Sequence, residues 1–503
     1  MKTFRLFVSV FLSVSLAFPA LPSNVITWEV RTTGSDTNGG AFATGAPGTD
    51  MSLFDNKNAA GCSSCQSATV NISTTDLVAV GTSTVTSATA NFSVALVGNL
   101  VFVTGTGFTT GWYYVFSFTN ATTVVLDRSP GTGTGGTINI GGALATLAQM
   151  NLNMALSTSN GAWVKAGTYS TAASITLASG ATNQGPYFVN GYTSSRGDNG
   201  KPTILALAGI AGGNQSMVNY NSSPNGLNFS NFIVDCASRD FTRGINFNTT
   251  GVSAKNVIVQ NCSDIAFAFN QPSIMCVECT SINTPSNANA STGGDFVGNN
   301  NPLTCVNCQA LGSVRNNAIA FQDMCQGTYI NPILANFSGT TAHAWTCVTE
   351  EAQLIILNAS ISGFTGDGFR FSLSNGVDQR PLLIRNAVLT GIAGFCFNNT
   401  GSRTLPASNQ VNDHNACNPT GSGFYNNWGA GPGDVTLSAD PFTNGSGNDF
   451  TLNATAGGGA AVKGAGFPGV LPNGGGTGHI DGGALQSAGG GGGGATTHAF
   501  GTR

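Results

Sequence analysis

The stretch Leu354-Ile355-Ile356-Leu357-Asn358-Ala359 decides the fold, because its pattern returns along the middle of the chain. Each copy is a short apolar run that ends in a turn-forming residue, usually Asn, and a small residue. Further copies are Leu382-Leu383-Ile384-Arg385-Asn386-Ala387, Thr304-Cys305-Val306-Asn307-Cys308, Met275-Cys276-Val277-Glu278-Cys279, Val257-Ile258-Val259-Gln260-Asn261-Cys262 and, slipped by one residue, Phe232-Ile233-Val234-Asp235-Cys236. Repetition of this kind indicates stacked structural units.

A second pattern alternates with the first and predicts another short strand. Its copies are Gly244-Ile245-Asn246-Phe247, Ile265-Ala266-Phe267, Ala318-Ile319-Ala320-Phe321, Gly368-Phe369-Arg370-Phe371 and Gly394-Phe395-Cys396-Phe397. Phe371 and Phe397 are 26 residues apart, and His343-Ala344-Trp345 lies near the middle of the 50 residues between Phe321 and Phe371. The repeating unit is therefore about 25 residues long, with two or three short strands and no helix.

Units of this length cannot bury an apolar face alone, whereas stacked units form one continuous core. Short strands separated by Gly, Asn and Ser turns predict an all-β fold, a parallel β-helix. A leucine-rich repeat would need a strict Leu-x-x-Leu-x-Leu frame, which the sequence lacks. Asn261, Asn307, Asn358 and Asn386 are predicted to stack in turns and to hydrogen-bond through their side-chain amides, which is a structural role.

The composition excludes several classes of protein. Only 8% of the 503 residues are charged, the net charge is −4, and 69 residues are Gly. The sequence has no Lys/Arg cluster, so binding to nucleic acid through a basic surface is not expected. Abundant Gly, Asn, Ser and Thr argue against a long helical protein. The hydrophobic fraction of 41% argues against general disorder.

The two ends and one insertion stand apart from the repeat. Residues 1–17 are predicted to be a signal peptide, because Lys2 and Arg5 precede an apolar run that is too short to span a bilayer. Residues 49–140 are predicted to form a small antiparallel β domain, because strand-like runs alternate with Thr and Gly turns. Residues 489–503 open with an unbroken glycine run and are predicted to be a flexible tail. No membrane span is predicted, since no later segment has the roughly eighteen apolar residues required.

The cysteines fit an exported chain. There are twelve, and six of them form three C-x-x-C pairs at 62/65, 276/279 and 305/308. In an oxidising compartment they are expected to form disulfides between coils or to stack in the core. A zinc site made of two pairs is disfavoured, because residues i and i+3 of a strand point to opposite faces.

Four motifs follow one another in the order of a known family. They are Val30-Arg31-Thr32-Thr33-Gly34-Ser35-Asp36-Thr37-Asn38-Gly39-Gly40, the helical period of Leu147, Met150 and Met154, Trp163-Val164-Lys165-Ala166-Gly167-Thr168-Tyr169, and Asp449-Phe450-Thr451-Leu452 followed by Asp481-Gly482-Gly483-Ala484-Leu485. The chain thus resembles the secreted right-handed parallel β-helix proteins of the pectate-lyase-like superfamily, with an insert as in environmental and phage-associated members.

The resemblance implies an extracellular or cell-surface protein with a defined order of parts. These are an entry strand and turn over residues 18–48, an N-terminal capping helix over 141–160, a right-handed parallel β-helix over 161–440 and a closing coil over 441–488. It implies little about activity, because one fold hosts many activities.

Enzymes on this fold cleave polysaccharides with two or three carboxylates, or with a base and usually Ca²⁺. The candidate catalytic residues are Asp323, Glu350, Asp367 and Arg370, which lie on successive predicted coils. Candidate carbohydrate-binding residues, chiefly aromatic rings that could stack on sugars, are Trp112, Tyr113, Tyr114, His343 and Trp345. No dense acidic cluster suits Ca²⁺, so no metal or cofactor is predicted.

Three functions are compatible with the sequence, and a non-catalytic one is favoured because charged residues are so scarce. The leading hypothesis is recognition of a polysaccharide or surface glycan at a cell surface, matrix or virion spike. The second is a polysaccharide lyase or glycoside hydrolase that acts in a groove along the β-helix. The third is a structural surface or filament component, which would show a self-complementary patch. The sequence does not define an oligomeric state, and a trimer is one option.

Overall fold

The computed structural model of the chain describes residues 25–55, 73–155, 160–177, 187–207, 215–220, 227–239, 242–284, 294–298, 301–313, 318–347, 353–372, 382–401, 410–467 and 481–485. The predicted signal peptide and glycine-rich tail lie outside these residues. So do Glu350, Cys62 and Cys65.

The described residues wind into a parallel β-helix with three sheets. Sheet 1 contains Ile26–Val30, Asn160–Lys165, Tyr187–Tyr192, Ile274–Val277, Leu303–Val306, Gly327–Ile330, Leu354–Leu357, Leu382–Arg385 and Gln410–Asp413. Sheet 2 contains Thr168–Thr171, Thr203–Ala206, Thr280–Thr284, Gln309–Ser313, Ile333–Phe337, Ser360–Phe364, Val388–Ile392, Ala416–Pro419 and Val435–Thr436. Two long strands, Leu227–Asp235 and Ser253–Gln260, run through both of these sheets.

Sheet 3 lies apart from the other two in the pairing pattern and has ten strands. They are Ile175–Leu177, Gln215–Tyr220, Thr242–Phe247, Phe267–Phe269, Gly294–Gly298, Ile319–Gln322, His343–Cys347, Phe369–Phe371, Phe395–Asn399 and Gly423–Asn426. Strands of successive coils pair in parallel, as Leu354–Leu357 does with Leu382–Arg385. The parallel β-helix predicted from the repeat is confirmed.

Aromatic side chains from sheet 3 fill the interior of the coils. Ring centroids of Phe267 and Phe296 are 4.6 Å apart, those of Phe296 and Phe321 are 4.7 Å apart, and those of Phe321 and Trp345 are 4.8 Å apart. The separation matches the spacing of paired strands, so each ring packs on its equivalent in the next coil. The aromatic residues of the second sequence pattern are therefore the inward-facing residues of sheet 3.

Asn residues make the short turn between sheets 1 and 2. Asn231, Asn256, Asn307, Asn331, Asn358 and Asn386 all have positive φ and form hydrogen-bonded stacks. For example, Asn358 Nδ2 donates to Asn331 Oδ1 at 3.0 Å, and Asn386 Nδ2 donates to Asn358 Oδ1 at 3.0 Å. Asn tolerates this left-handed conformation better than most residues. The predicted amide ladder is present.

One member of the predicted ladder lies elsewhere. Asn261 follows the sheet 2 part of Ser253–Gln260, and its side chain donates to Asp235 Oδ1 at 3.0 Å. Its place in the turn column is taken by Asn256, inside the same long strand. The apolar run before Asn261 resembles the runs of sheet 1 in sequence, but it belongs to sheet 2, as does the run at 232–236.

The insert forms a small closed antiparallel sheet. Its strands are Ser73–Val80, Thr84–Thr86, Leu100–Thr104, Gly111–Asn120, Thr123–Leu126 and Thr132–Ile140. Leu77, Val103, Val115 and Ile138 are among the residues of its separate hydrophobic core. Alternation of buried and exposed side chains along Ser73–Val80 follows the period-two pattern of a strand with one buried face.

A helix at Leu147–Met154 lies where the resemblance implies a capping helix. Thr146 begins it, with a hydroxyl that accepts from the Gln149 amide at 3.1 Å. The Asp36 carboxylate accepts from the Ala145 and Thr146 amides, so the entry motif anchors the start of the helix. Leu147, Met150 and Met154 face the core.

Within residues 441–467 and 481–485 the C-terminal segment adds no further coil, which corrects the expectation of a closing coil there. Phe442–Asn444 and Asp449–Leu452 pair in an antiparallel hairpin, followed by the short helix Gly459–Val462. This segment packs on the outer face of sheet 2, because Ile333, Ala335, Val388 and Ala416 make that face apolar. The remaining short helices, all 3₁₀, are Met51–Leu53, Val94–Leu96 and Gly445–Gly447.

Four disulfides join described cysteines. The pairs are Cys236–Cys262, Cys305–Cys308, Cys325–Cys347 and Cys396–Cys417, while Cys276 and Cys279 are buried thiols. Three of the four join neighbouring coils, as expected, and one closes within a coil. No helix in the described ranges is long and apolar enough to cross a membrane.

Candidate functional site

The outer face of sheet 3 carries one side chain per coil in a continuous register, which we call the sheet 3 column. Its members are Thr176, Asn219, Asn246, Ala268, Val297, Gln322, Thr346, Arg370, Asn398 and Asn426. They alternate with the buried rings of the interior, so they point outward. Because paired strands lie about 4.8 Å apart, the column is about 43 Å long.

Longer connections border sheet 3 in the C-terminal half of the chain. Residues 372–381 and 400–409 join sheet 3 to sheet 1, whereas only residues 358–359 and 386–387 separate sheet 1 from sheet 2. Connections beside a regular scaffold are where proteins usually place their binding groups.

Side-chain amides are linked to one another near both ends of the column. Asn246 Nδ2 donates to Asn219 Oδ1 at 3.1 Å, and Asn270 Nδ2 donates to Asn246 Oδ1 at 2.6 Å. At the other end, Asn426 Nδ2 donates to Asn398 Oδ1 at 2.9 Å. These bonds fix the orientation of the amides. A side-chain amide offers two donors and two acceptor lone pairs, so such groups keep capacity for a ligand.

The middle of the column contains two polar atoms of a different kind. Among the residues that the structure describes, Gln322 Oε1 and Thr346 Oγ1 are buried and have no hydrogen-bond partner. An unmade hydrogen bond of this kind costs about 1–3 kcal/mol, and most buried polar groups avoid it. The two atoms lie on neighbouring coils of one outward column. They are suited to a ligand that both donates and accepts hydrogen bonds.

His343, Asp367 and Arg370 form a compact cluster beside the column. Arg370 Nη1 is 2.7 Å from His343 Nε2, and the Asp367 backbone nitrogen is 2.9 Å from His343 Nδ1. Burial and the positive charge of Arg370 together lower the pKa of His343 to about 4, although Asp367 opposes the shift. The imidazole is therefore neutral at neutral pH, a form in which only one of its two ring nitrogens can accept a hydrogen bond.

Asp367 is committed to local backbone and side-chain contacts. It is 6% exposed, its Oδ1 accepts from the Phe395 amide at 2.9 Å, and its Oδ2 accepts from Asn398 Nδ2 at 2.9 Å. The carboxylate thus positions the next strand and one amide of the sheet 3 column. This arrangement is typical of a structural carboxylate.

The other predicted acids do not join this cluster in the described residues. Ile319 pairs with His343, and Trp345 pairs with Phe369, so Asp323 lies four positions further along the sheet than Asp367. Four positions correspond to about 13 Å along a strand. Burial raises the pKa of Asp323, which has a positive φ at the end of its strand. Glu350 lies outside the described residues.

Most of the predicted stacking rings are buried, which corrects the expectation of an exposed aromatic platform. Trp345 packs between Phe321 and Phe369 and is 0% exposed. Tyr113 and Tyr114 are buried in the antiparallel unit, with the Tyr113 hydroxyl donating to Thr109 O at 2.6 Å.

Trp112 is half-buried, and its Nε1 donates to Asn38 O at 3.0 Å. Its ring packs on Phe102 at 4.7 Å between centroids. The ring is therefore used to attach the antiparallel unit to the entry turn. Of the five candidate carbohydrate-binding residues, His343 lies next to the column and is 6% exposed.

The sequence patterns do not single out Gln322, Thr346 and Asn398. Each of them directly follows an aromatic residue of the inward stack, namely Phe321, Trp345 and Phe397. Aligning the aromatic residues and taking the next position would have produced the outward column. The signal was present, but polar uncharged residues are so common in this chain that none stood out.

The site offers no metal centre within the described part of the chain. No group of three or more His, Cys, Asp or Glu side chains there could hold a metal ion. Arg370 is the charged member of the sheet 3 column, and the other members are amides, hydroxyls and two apolar side chains. The face is therefore suited to neutral hydrogen-bonding partners.

No protein-family model and no curated protein matches the chain. Among solved structures, the tailspike protein of E. coli bacteriophage HK620, in complex with a pentasaccharide, is 13% identical over 58% of this chain, with a TM-score of 0.39. That match spans 60% of the tailspike chain.

Two further solved structures are similar at the same low level. The catalytic domain of a GH87 alpha-1,3-glucanase, in complex with nigerose, is 11% identical over 74% of this chain and 77% of its own, with a TM-score of 0.36. The A-module of the Azotobacter vinelandii mannuronan C-5 epimerase AlgE4 is 12% identical over 55% of this chain and 85% of its own, with a TM-score of 0.25. At these values the activities of the three proteins do not transfer to this chain.

Proposed function

We propose that the chain recognises carbohydrate along the sheet 3 column. The observation that carries the proposal is the pair of unpartnered atoms, Gln322 Oε1 and Thr346 Oγ1, in a row of outward polar side chains. Sugar hydroxyls donate and accept hydrogen bonds, as these groups require. A glycan lying along the column would meet one side chain about every 4.8 Å.

A binding role is better supported than cleavage. Glycoside hydrolases need two carboxyl groups roughly 5–9.5 Å apart on either side of the scissile bond. Asp367 is about 13 Å from Asp323 by the strand rise, and both of its oxygens are hydrogen-bonded. The hydrolase alternative therefore depends on a further acid, such as Glu350.

The proposed setting is extracellular. It is supported by the disulfides at Cys236–Cys262, Cys325–Cys347 and Cys396–Cys417, because such bonds persist in oxidising compartments. Neutral, polar outer faces also suit a protein that works among surface glycans.

Binding to a panel of neutral and acidic oligosaccharides, measured by glycan array and then by calorimetry, tests the proposal. Thr346→Val keeps the shape of the side chain and removes the hydroxyl, so we expect affinity to fall about 5- to 10-fold, the effect of one hydrogen bond. Thr328→Val is the matched control, because Thr328 lies on the outer face of sheet 1. Equal losses in both variants, or no bound glycan, would overturn the proposal.

Release of new reducing ends or unsaturated sugars from bound glycans tests the enzymatic alternative. A binding protein releases neither. Turnover that is lost in Glu350→Gln while affinity is kept would establish cleavage instead.

A further inference from the structure

Two C-x-x-C pairs lie one above the other in neighbouring coils. Cys276 pairs directly with Cys305, and the strands that follow each pair are also in register, with Thr280 opposite Gln309. All four cysteine side chains are buried. Cys305 and Cys308 are joined by a disulfide, whereas Cys276 and Cys279 are thiols in contact with each other.

The backbone between the cysteines is the same in both coils. Glu278 has a φ of +56°, and Asn307, at the equivalent position, has a φ of +55°. The Cα atoms of Cys305 and Cys308 are 6.0 Å apart, within the range that a disulfide spans. Since the two coils repeat the same conformation, the Cys276 and Cys279 positions meet the same requirement.

We propose that Cys276 and Cys279 are an oxidation site and close a disulfide within their coil, directly beneath Cys305–Cys308. The proposal is independent of glycan binding by sheet 3. In the finished protein two cystines then stack in the core at the turn between sheets 1 and 2.

The bond forms by exchange with a low-molecular-weight disulfide. One thiolate attacks that disulfide and releases one thiol, and the second cysteine then attacks the mixed disulfide and releases the other. The two protein sulfurs lose two hydrogens and two electrons, and the oxidant becomes two thiols. Burial raises the pKa of Cys276 in the folded chain, so the reactive thiolate is scarce there and the exchange belongs to the folding phase.

The positions of the glutamates allow a direct test. Glu occurs only at 29, 278, 350 and 351, so a glutamyl endopeptidase cuts between Cys276 and Cys279. The four disulfides of the described residues each lie within one of the resulting fragments. Protein exported into an oxidising compartment is alkylated in denaturant without reductant, digested and run on a non-reducing gel.

We expect fragments 30–278 and 279–350 to stay linked until a reductant is added, and mass spectrometry of the linked product to identify Cys276 and Cys279. The double variant Cys276→Ala, Cys279→Ala should separate without reductant. The double variant Cys305→Ala, Cys308→Ala should stay linked, because the proposed bond does not involve those residues.

Two results would overturn the proposal. In the first, the wild-type fragments separate without reductant and both cysteines are alkylated. In the second, the link is lost in the Cys305→Ala, Cys308→Ala variant, which would assign a bond between coils. The wild-type digest decides the first point even if a variant does not fold.

Discussion

Single residues of sheet 3 differ in what they do for the fold. His343 lies between Arg370 and the backbone of Asp367, where a second imidazole proton would face a positive charge. Asp367 holds the Phe395 amide and Asn398. Thr346 makes no such contact. The cluster is therefore structural, whereas the buried Thr346 hydroxyl has no hydrogen-bond partner among the described residues.

Titration of His343 predicts a loss of stability in mild acid. Its pKa falls from 6.5 to about 4 on folding, so the unfolded chain binds the proton first as the pH drops. Stability linked to this group is full above pH 6.5 and is lost as the pH falls towards about 4. We expect the melting temperature of His343→Gln to depend less on pH than that of the wild type between these pH values. If the slope of melting temperature against pH is the same in His343→Gln, in the control His414→Gln and in the wild type, the prediction is wrong.

Thr346→Val has an expected effect on stability as well as on binding. Replacing an unpartnered buried hydroxyl by a methyl group removes a desolvation cost, so the free energy of unfolding should stay equal or rise by up to about 1 kcal/mol. Thermal melts of the variant and of Thr328→Val measure this. A clear loss of stability at Thr346 would mean that its hydroxyl has a structural partner.

The sequence indicated part of the site, and physical reasons explain the rest. Asp367 and Arg370 were brought together with His343 as predicted, because residues on successive coils stack. The prediction that Asp323 lies with them was wrong, because its position depends on the pairing register of the sheet 3 strands. Composition does not show that register. Trp345 looked like a sugar-stacking ring, but it has the same parity along the strand as Phe321 and Phe369 and therefore points inward.

Among the structural elements, the turn between sheets 1 and 2 is the most regular. Asn331 has a φ of +54°, donates to Asn307 Oδ1 at 3.0 Å and accepts from Asn358 Nδ2 at 3.0 Å. The side chain thus serves two neighbouring coils while the backbone takes a conformation that most residues avoid. Each turn depends on both contributions.

Two substitutions of Asn331 separate these contributions. Asn331→Ala loses both hydrogen bonds and keeps an unfavourable φ, so we expect a loss of roughly 2–3 kcal/mol. Asn331→Gly loses the same bonds but tolerates the positive φ, so its loss should be smaller by about 1 kcal/mol. Urea unfolding curves of the two variants provide the comparison. Equal losses would show that the backbone conformation carries no cost here.

At the scale of the whole molecule, aliphatic side chains make up most of the outer face of sheet 1, and Thr304, Thr328 and Arg385 are polar members of the same face. Met275 and Val411 are 46% and 41% exposed, and between them lie further outward side chains, namely Val277, Val306, Ile330, Ile355, Leu357 and Leu383. Six strands about 4.8 Å apart make this face about 24 Å long. Flat apolar faces of this kind mark contact surfaces, and a second copy of the chain has the matching spacing.

We expect weak, concentration-dependent self-association through this face, because Thr304, Thr328 and Arg385 interrupt its aliphatic surface. Val306→Lys should abolish it by placing a charge in the contact. Val297→Lys, at an outward position of sheet 3, is the matched control. Sedimentation velocity over a range of concentrations measures the effect. A wild-type chain that stays monomeric throughout would exclude this interface.

The global architecture was more predictable than the ends of the molecule. Aromatic residues, mostly Phe, and turn residues, mostly Asn, recur from unit to unit, and their spacing identifies the coil. The pattern at 449–452 predicts a closing coil, whereas Phe442–Asn444 and Asp449–Leu452 form a hairpin. A strand that packs on the outer face of sheet 2 has the same alternation of residues as a strand that pairs with the last strand of that sheet.

The one-residue-per-coil register of the sheet 3 column has a consequence for how such a protein can change. Each coil contributes one strand and one side chain to the sheet 3 column. Duplication or deletion of a whole coil therefore changes the length of the column by about 4.8 Å and leaves the other coils intact. Residues 354–381 span one such coil, which contributes Arg370. Under the proposed function, the number of coils therefore sets the length of glycan that this face can contact.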